Sequence, residues 1–330
     1  MSSVLKTVAY CDIDTDCVQV IRSNISKGLL DRAPVLGPVQ SVTRDMLPVG
    51  IQVITAGFPC QDLSTAGNKA GIYGERTGLF MHIMQLLESL NTVKYVFLEN
   101  VPAIMNGHVD VVTDHLCKLG FTCAYGLFQA NEEPCARPHT RKRWFLLGLR
   151  DIANTPPPRQ ASHVTCPVRP PVRLIAKGPR SSHDRVRYRM LGNSVVPQTV
   201  VRAWNTLSTA LSGREREVTA SLSALRSVKI VGPGWDSTIR RELTLKYLSV
   251  PLTLPGGIIK RVWATPTAQY NHAFTVFNTN RGFDNLFNQI YYDRRTAPGV
   301  PRPKLLETMT VNPAFVEWLM GYPRNYTAKE

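Results

Sequence analysis

A chain of 330 residues, 43% of them hydrophobic, can bury a sizeable core, and its length accommodates two domains or one domain with an insertion. It has no run near the roughly 20 apolar residues that span a bilayer, and Met1–Val8 has neither the basic flank nor the apolar core of a signal peptide, so a soluble intracellular protein is expected. Lys and Arg outnumber Asp and Glu by 39 to 24, leaving a net charge of +15 that favours polyanionic partners.

In chain order, Thr7 to Asp12 reads as a short buried strand and Asp16 to Asn24 as the helix after it. Ile51 to Ala56 is a strand that runs into the sharp turn Gly57-Phe58-Pro59-Cys60. Leu79, Ile83, Leu86, Leu87 and Leu90 recur at helical spacing, which predicts an amphipathic helix over Thr77 to Asn91. Val93 to Leu98 is the next strand, Val111 to Leu119 a helix, Phe121 to Phe128 a strand and Trp144 to Leu149 another. Strands alternating with helices imply βαβ units and a mostly parallel sheet of the α/β class. Asn154 to Arg180 is proline-rich and basic and reads as a linker or loop. Arg187 to Leu211 follows as a turn and a helix, and the composition shifts again from Arg214 on. Residues 1–153 with 186–212 therefore make a main domain, 154–185 a basic loop, and 213–330 a separate, less regular region.

The positive charge is concentrated. Arg137, Arg141, Lys142, Arg143, Arg150, Arg159, Arg169, Arg173, Lys177, Arg180, Arg185, Arg187 and Arg189 crowd a stretch with few acids, so phosphate binding is expected there. The seven cysteines show no CxxC pair, which removes the usual zinc spacing, and their odd number without a secretory signal points to reduced thiols.

Only Cys60 sits where a nucleophile is expected, at the end of a buried strand, with Pro59 fixing the backbone just before it. Ligands of open α/β sheets bind beyond the carboxyl ends of the strands. Glu99 ends the next strand, so neighbouring strands bring acid and thiol to one cleft, and Arg141 and Arg143 lie two residues apart before a third. Each has an ordinary structural reading: a core thiol, a helix-capping acid, a solvated basic edge. Together they suit one reaction. A thiolate adds to C6 of cytosine while a carboxylic acid at N3 and a guanidinium at O2 stabilise the charge that develops on the ring, and C5 becomes nucleophilic. The base must leave the helical stack to reach such a pocket.

Gly57-Phe58-Pro59-Cys60-Gln61 with Ser64, Gly67 and Gly71 resembles the catalytic motif of DNA cytosine-5 methyltransferases. Glu99-Asn100-Val101 resembles the family's ENV motif, Pro138-His139-Thr140-Arg141-Lys142-Arg143 its paired-arginine motif, and Gly192-Asn193-Ser194-Val195-Val196-Pro197 its late GNSV motif. The resemblance covers roughly residues 7 to 211. It implies a Rossmann-like methyltransferase sheet, S-adenosylmethionine as cofactor and duplex DNA as partner in a restriction–modification or viral setting. It makes Cys60 the nucleophile, Glu99 the acid at N3, Arg143 the contact to O2, and Arg141 its neighbour near the thiol and phosphates. It further implies that Asp12 holds the ribose hydroxyls of the cofactor and Ile13 lies against its adenine, and that Pro59, Leu79, Asn193 and Ser194 line the same pocket. Trp263–Ala268 and Asn312–Pro323 resemble C-terminal pieces of phage-type members, with Phe315, Trp318, Leu319 and Tyr322 read as packing residues.

Two departures stand out. Relatives begin with a strand and a glycine-rich turn that cradles the methionine end of the cofactor, whereas Val8–Asp12 already matches the second strand; and Pro38 stands where relatives carry an acid near the adenine. The expectation is a late start, a partner polypeptide carrying the first βα unit, or replacement of that unit by Val228–Gly234. A degenerate DNA-binding chain without activity, an RNA cytosine methyltransferase and a cysteine hydrolase are the rival readings. The histidines offer the last of these no recognisable partner spacing.

Overall fold

The computed structural model describes residues 5–59, 78–132, 137, 139–150, 175–177, 182–212, 223–232, 241–248 and 309–328. Its strands are β1 (Tyr10–Cys11), β2 (Val35–Leu36), β3 (Val53–Gly57), β4 (Tyr95–Asn100), β5 (Phe121–Gln129), β6 (Lys142–Arg150), β7 (Ile175–Lys177), β8 (Ser223–Val231), β9 (Arg241–Leu248) and β10 (Met309–Val311). The helices are α1 (Thr15–Ser26), α2 (Gly78–Ser89), α3 (Val109–Lys118), α4 (Ser182–Asn193), α5 (Pro197–Leu211) and α6 (Pro313–Met320).

The main sheet has six strands in the order β3-β4-β6-β5-β8-β9. Period-two alternation sends Val96, Leu98, Trp144, Leu146, Phe121 and Tyr125 to one face, covered by Leu87 of α2, Leu90 just past it and Leu116 of α3. Tyr95, Phe97, Phe145, Leu147 and Phe128 go to the other, against Trp204 and Leu207 of α5. Helices on both faces of one sheet make this the expected three-layer α/β architecture.

Two expectations are corrected. Only β3–β4 of the main sheet is parallel; β6 runs antiparallel between β4 and β5, because the chain reverses directly after β5 rather than crossing back over a helix. Val228–Val231 does not replace a missing unit beside β1. It belongs to β8, which pairs antiparallel with Cys123–Gly126 of β5, on the far side of the sheet from β3.

The predicted first strand shortens to the two residues of β1, which pair in parallel with β2 as a separate small sheet. Among the described residues no strand pairs the outer edge of β3, and its residues are partly exposed where those of β4 are nearly all buried. Two pieces of the expected C-terminal region join the main body: β8 and β9 extend the sheet, and α6 packs on α4, where the buried Glu317 carboxylate pairs with Arg187 at 2.8 Å. No helix among the described residues is long and apolar enough to cross a membrane.

Candidate active site

The site lies at the carboxyl ends of β3 and β4. Their register sets Gly57 opposite Glu99, and the Glu99 carboxylate comes so close that a β-carbon on Gly57 would stand 3.1 Å from Oε2. A side chain here would need the carboxylate to give way by a few tenths of an ångström, so glycine suits the close approach. Past it the chain turns out through buried Phe58 and exposed Pro59. The Asn100 amide donates to the Phe58 carbonyl at 3.1 Å, and its oxygen accepts the Val101 N–H at 2.8 Å. Asn100, which the sequence marks only as a motif letter, therefore ties the end of β4 to the backbone at Phe58. Cys60 itself lies outside the described residues.

Glu99 is no helix cap. It shares a sheet face with Arg143, whose Nε meets Glu99 Oε1 at 3.0 Å across the β4–β6 pairing. Burial raises the Glu99 carboxyl above its ordinary range, against the downward pull of Arg143 and Arg141. Burial likewise lowers Arg143, while Glu99 holds it charged.

Arg141, expected near thiol and phosphates, turns inward. It is 3% exposed, and its Nη2 donates to the carbonyls of Gly192 at 2.7 Å and Ser194 at 2.6 Å, joining the paired-arginine motif to the GNSV segment. Desolvation pushes its pKa down to about 9. Several other basic residues proposed for phosphates are also engaged. Arg137 is buried and donates to the Trp318 and Leu319 carbonyls, Arg187 pairs with Glu317, and Arg189 pairs with Asp14 at 2.9 Å and Asp16 at 2.8 Å. Arg185 and Lys142 remain exposed.

Asp12 directly follows β1, partly exposed, and its Oδ1 accepts the Asp14 N–H at 2.8 Å; beside it Ile13 is 70% exposed. A carboxylate next to an uncovered apolar side chain suits ribose hydroxyls and a purine face, so the nucleoside end of S-adenosylmethionine fits here. The Asp14 cap of α1 and its tie to Arg189 bring this end of the small sheet to α4. Asn193, exposed, and Ser194, whose hydroxyl donates to the Leu191 carbonyl, close α4; Leu79 is half-buried near the start of α2. Phe315 and Leu319 are buried and Tyr322 donates to the Val195 carbonyl at 2.7 Å, so these are packing residues as expected, with Trp318 only partly covered. Among the described residues, no group of three or more His, Cys, Asp and Glu gathers as a metal site.

The family model for C-5 cytosine-specific DNA methylase matches residues 2–173, just over half of the chain. The chain belongs to this family. It is a DNA (cytosine-5) methyltransferase by class, and S-adenosylmethionine is the cofactor of that class. The chain is 26% identical to Type II methyltransferase M.CviJI of Paramecium bursaria Chlorella virus IL3A over 97% of its own length and 91% of that protein's. To Type II methyltransferase M2.BsuMI of Bacillus subtilis (strain 168) it is 38% identical, over 29% of this chain and 26% of that one. A solved structure of Spodoptera frugiperda DNMT2 superposes on 47% of this chain and 46% of that one, at a TM-score of 0.36 and 23% identity.

His139 and Glu317, which the sequence offers only as letters within longer motifs, bond partners 180 and 130 residues away. Glu317 alone carried a signal, as the one charge in the apolar helix Pro-Ala-Phe-Val-Glu-Trp-Leu-Met.

Proposed function

We propose that this protein methylates C5 of cytosine in duplex DNA through a covalent bond between Cys60 and C6 of a base swung out of the stack. The observation that carries this reading is the Glu99–Arg143 pair set against the β3 exit that leads, one residue past Pro59, to Cys60. The Cys60 thiolate adds to C6 and the electron pair moves toward N3 and O2. Glu99, kept protonated more readily by burial, donates to N3, and the Arg143 guanidinium bonds O2. C5 is then electron-rich and takes the methyl group; loss of the C5 proton to solvent and of the thiolate from C6, with return of the N3 proton to Glu99, restores the ring and the free enzyme. S-adenosylmethionine supplies the methyl carbon as an electrophile when bound. Asp12 holds its ribose, Ile13 meets its adenine, and Pro59, Leu79, Asn193 and Ser194 line the rest of its pocket. Arg141 acts from behind, holding Gly192 and Ser194 in place rather than touching the base.

The test is a covalent trap. Duplex DNA containing 5-fluorocytosine, incubated with S-adenosylmethionine, stalls the adduct after methyl transfer, since fluorine cannot leave as the C5 proton does. The wild-type chain should form a denaturant-resistant complex and Cys60→Ala none; a Cys60→Ala protein that still traps the DNA removes the assignment.

One observation favours a second reading. β1 and β3 lie in separate sheets with nothing pairing the β3 edge among the described residues. In this reading the chain binds DNA but transfers methyl groups only when a partner polypeptide supplies the first βα unit. Micromolar binding of S-adenosylmethionine to the chain alone, by calorimetry, excludes it.

A further inference from the structure

His139 lies in the stretch between β5 and β6, fully buried, and uses both ring nitrogens. Nε2 donates to the Leu319 carbonyl at 3.0 Å, in the last turn of α6, and Nδ1 accepts the Arg141 backbone N–H at 3.3 Å. Only the neutral ring with its proton on Nε2 makes both bonds. Burial and the neighbouring Arg141, Arg137 and Arg143 hold it neutral, with the pKa pushed down to about 3. Arg137 donates to the carbonyls of Trp318 and Leu319 in the same turn. The segment 312–328 is itself fastened elsewhere: Glu317 accepts from Arg187, Tyr322 bonds the Val195 carbonyl, and Asn24 donates to the Tyr326 carbonyl at 3.0 Å.

We propose that His139 is a positioning residue: it ties the C-terminal segment 312–328 to the backbone of Arg141 and so sets where the strand carrying Arg143 meets Glu99. This rests on the reading above that Glu99 and Arg143 hold the flipped base. Arg143 stands two residues past the Arg141 N–H, and its contact with Glu99 spans two strands, so a small displacement at the start of β6 is felt at the carboxylate. His139 does not touch the base. Its loss should slow turnover without weakening the grip on DNA.

The experiment compares His139→Leu, which makes neither bond, with His139→Gln, which offers a donor toward Leu319 and an acceptor toward Arg141. His139→Ala, which likewise makes neither bond, substitutes for the leucine variant if that one does not fold. Turnover is read as tritium release from duplex DNA carrying [5-³H]cytosine in the presence of S-adenosylmethionine. His139→Leu should lose about tenfold or more in kcat with KM for DNA within about twofold, and His139→Gln should recover to within about threefold of wild type. Amide hydrogen exchange at Arg141 and Arg143 should accelerate about tenfold in His139→Leu and stay near wild type in His139→Gln. Equal kcat for the leucine and glutamine variants, or unchanged exchange at Arg141 in His139→Leu, overturns the proposal. Exchange needs no catalysis, so a wild-type chain that releases no tritium defeats the proposed function while the exchange comparison still decides on His139.

Discussion

Replacing Glu317 should unfasten the C-terminal segment at a cost the structure allows to be estimated. The carboxylate is fully buried on α6 and accepts four hydrogen bonds: from Arg187 Nη2 at 2.8 Å, from the Asn325 and Thr327 N–H groups at 2.7 and 2.9 Å, and from the Thr327 hydroxyl at 2.6 Å. In Glu317→Leu the Arg187 guanidinium stays in place without its counter-charge, and the backbone donors of Asn325 and Thr327 lose their acceptor. Breaking a buried ion pair from one side costs about 3–5 kcal/mol. At about 1.4 °C per kcal/mol for a chain of 330 residues, the midpoint of thermal unfolding should fall by roughly 4–7 °C. Removing the stranded charge as well should return part of the loss, so Arg187→Met/Glu317→Leu should cost less than the sum of the two single changes, with a coupling of about 1–3 kcal/mol. Urea unfolding of the four proteins measures the cycle. Limited proteolysis beside it detects a C-terminal segment that opens before the sheet does. A single-variant cost below about 1 kcal/mol, or strict additivity, would refute the view that this pair anchors the segment.

Two further outcomes concern the site and its DNA. Glu99→Gln should lower the rate of methyl transfer by about two to three orders of magnitude while leaving DNA affinity within a few-fold, because its role develops as C6 is attacked; matched losses in binding and rate would mark Glu99 as structural. DNA affinity should fall steeply with salt, and Lys142→Ala or Arg185→Ala, both exposed, should each lower the slope of log K against log salt by about 0.9 if they meet a phosphate. Arg187→Met, whose charge is already engaged with Glu317, should leave that slope unchanged in the folded protein, and a drop there would contradict its buried pairing.

What the sequence revealed and concealed follows from the range of the interactions. The helices α2 and α3 and the strand β4 were legible because each buries a continuous stripe or run, which periodicity reports directly. The meeting of Glu99 with the β3 exit was legible because both sit at the strand ends of one βαβ unit, β3-α2-β4, and the Gly57–Glu99 register realises it. The antiparallel insertion of β6 was not, since an interior strand buried on both faces reads alike in either direction. Nor was the shortness of β1: its residues have strand propensity, but ladder length depends on partners, and β2 offers only two residues. The greatest overstatement came from charge. A run of arginines looks like a phosphate surface in a one-dimensional list, yet Arg137, Arg141 and Arg187 are buried and committed to carbonyls or a carboxylate.

Those commitments share a physical cause. The last carbonyls of a helix have no intrahelical donor, and the helix dipole concentrates negative potential there, so cations and N–H donors are favoured. Residues 137–143 serve two such ends. Arg137 and His139 donate to the last turn of α6, at Trp318 and Leu319, and Arg141 donates to the end of α4, at Gly192 and Ser194. Only Arg143, the last of the series, faces the carboxylate at the end of β4. The same short stretch that presents one guanidinium to the site therefore holds together the termini of two helices far apart in sequence. This arrangement accounts for a paired-arginine motif in which the two side chains, two residues apart, do different work: burial on helix carbonyls fixes the frame through Arg141, and pairing with a desolvated acid holds Arg143 at the end of β4.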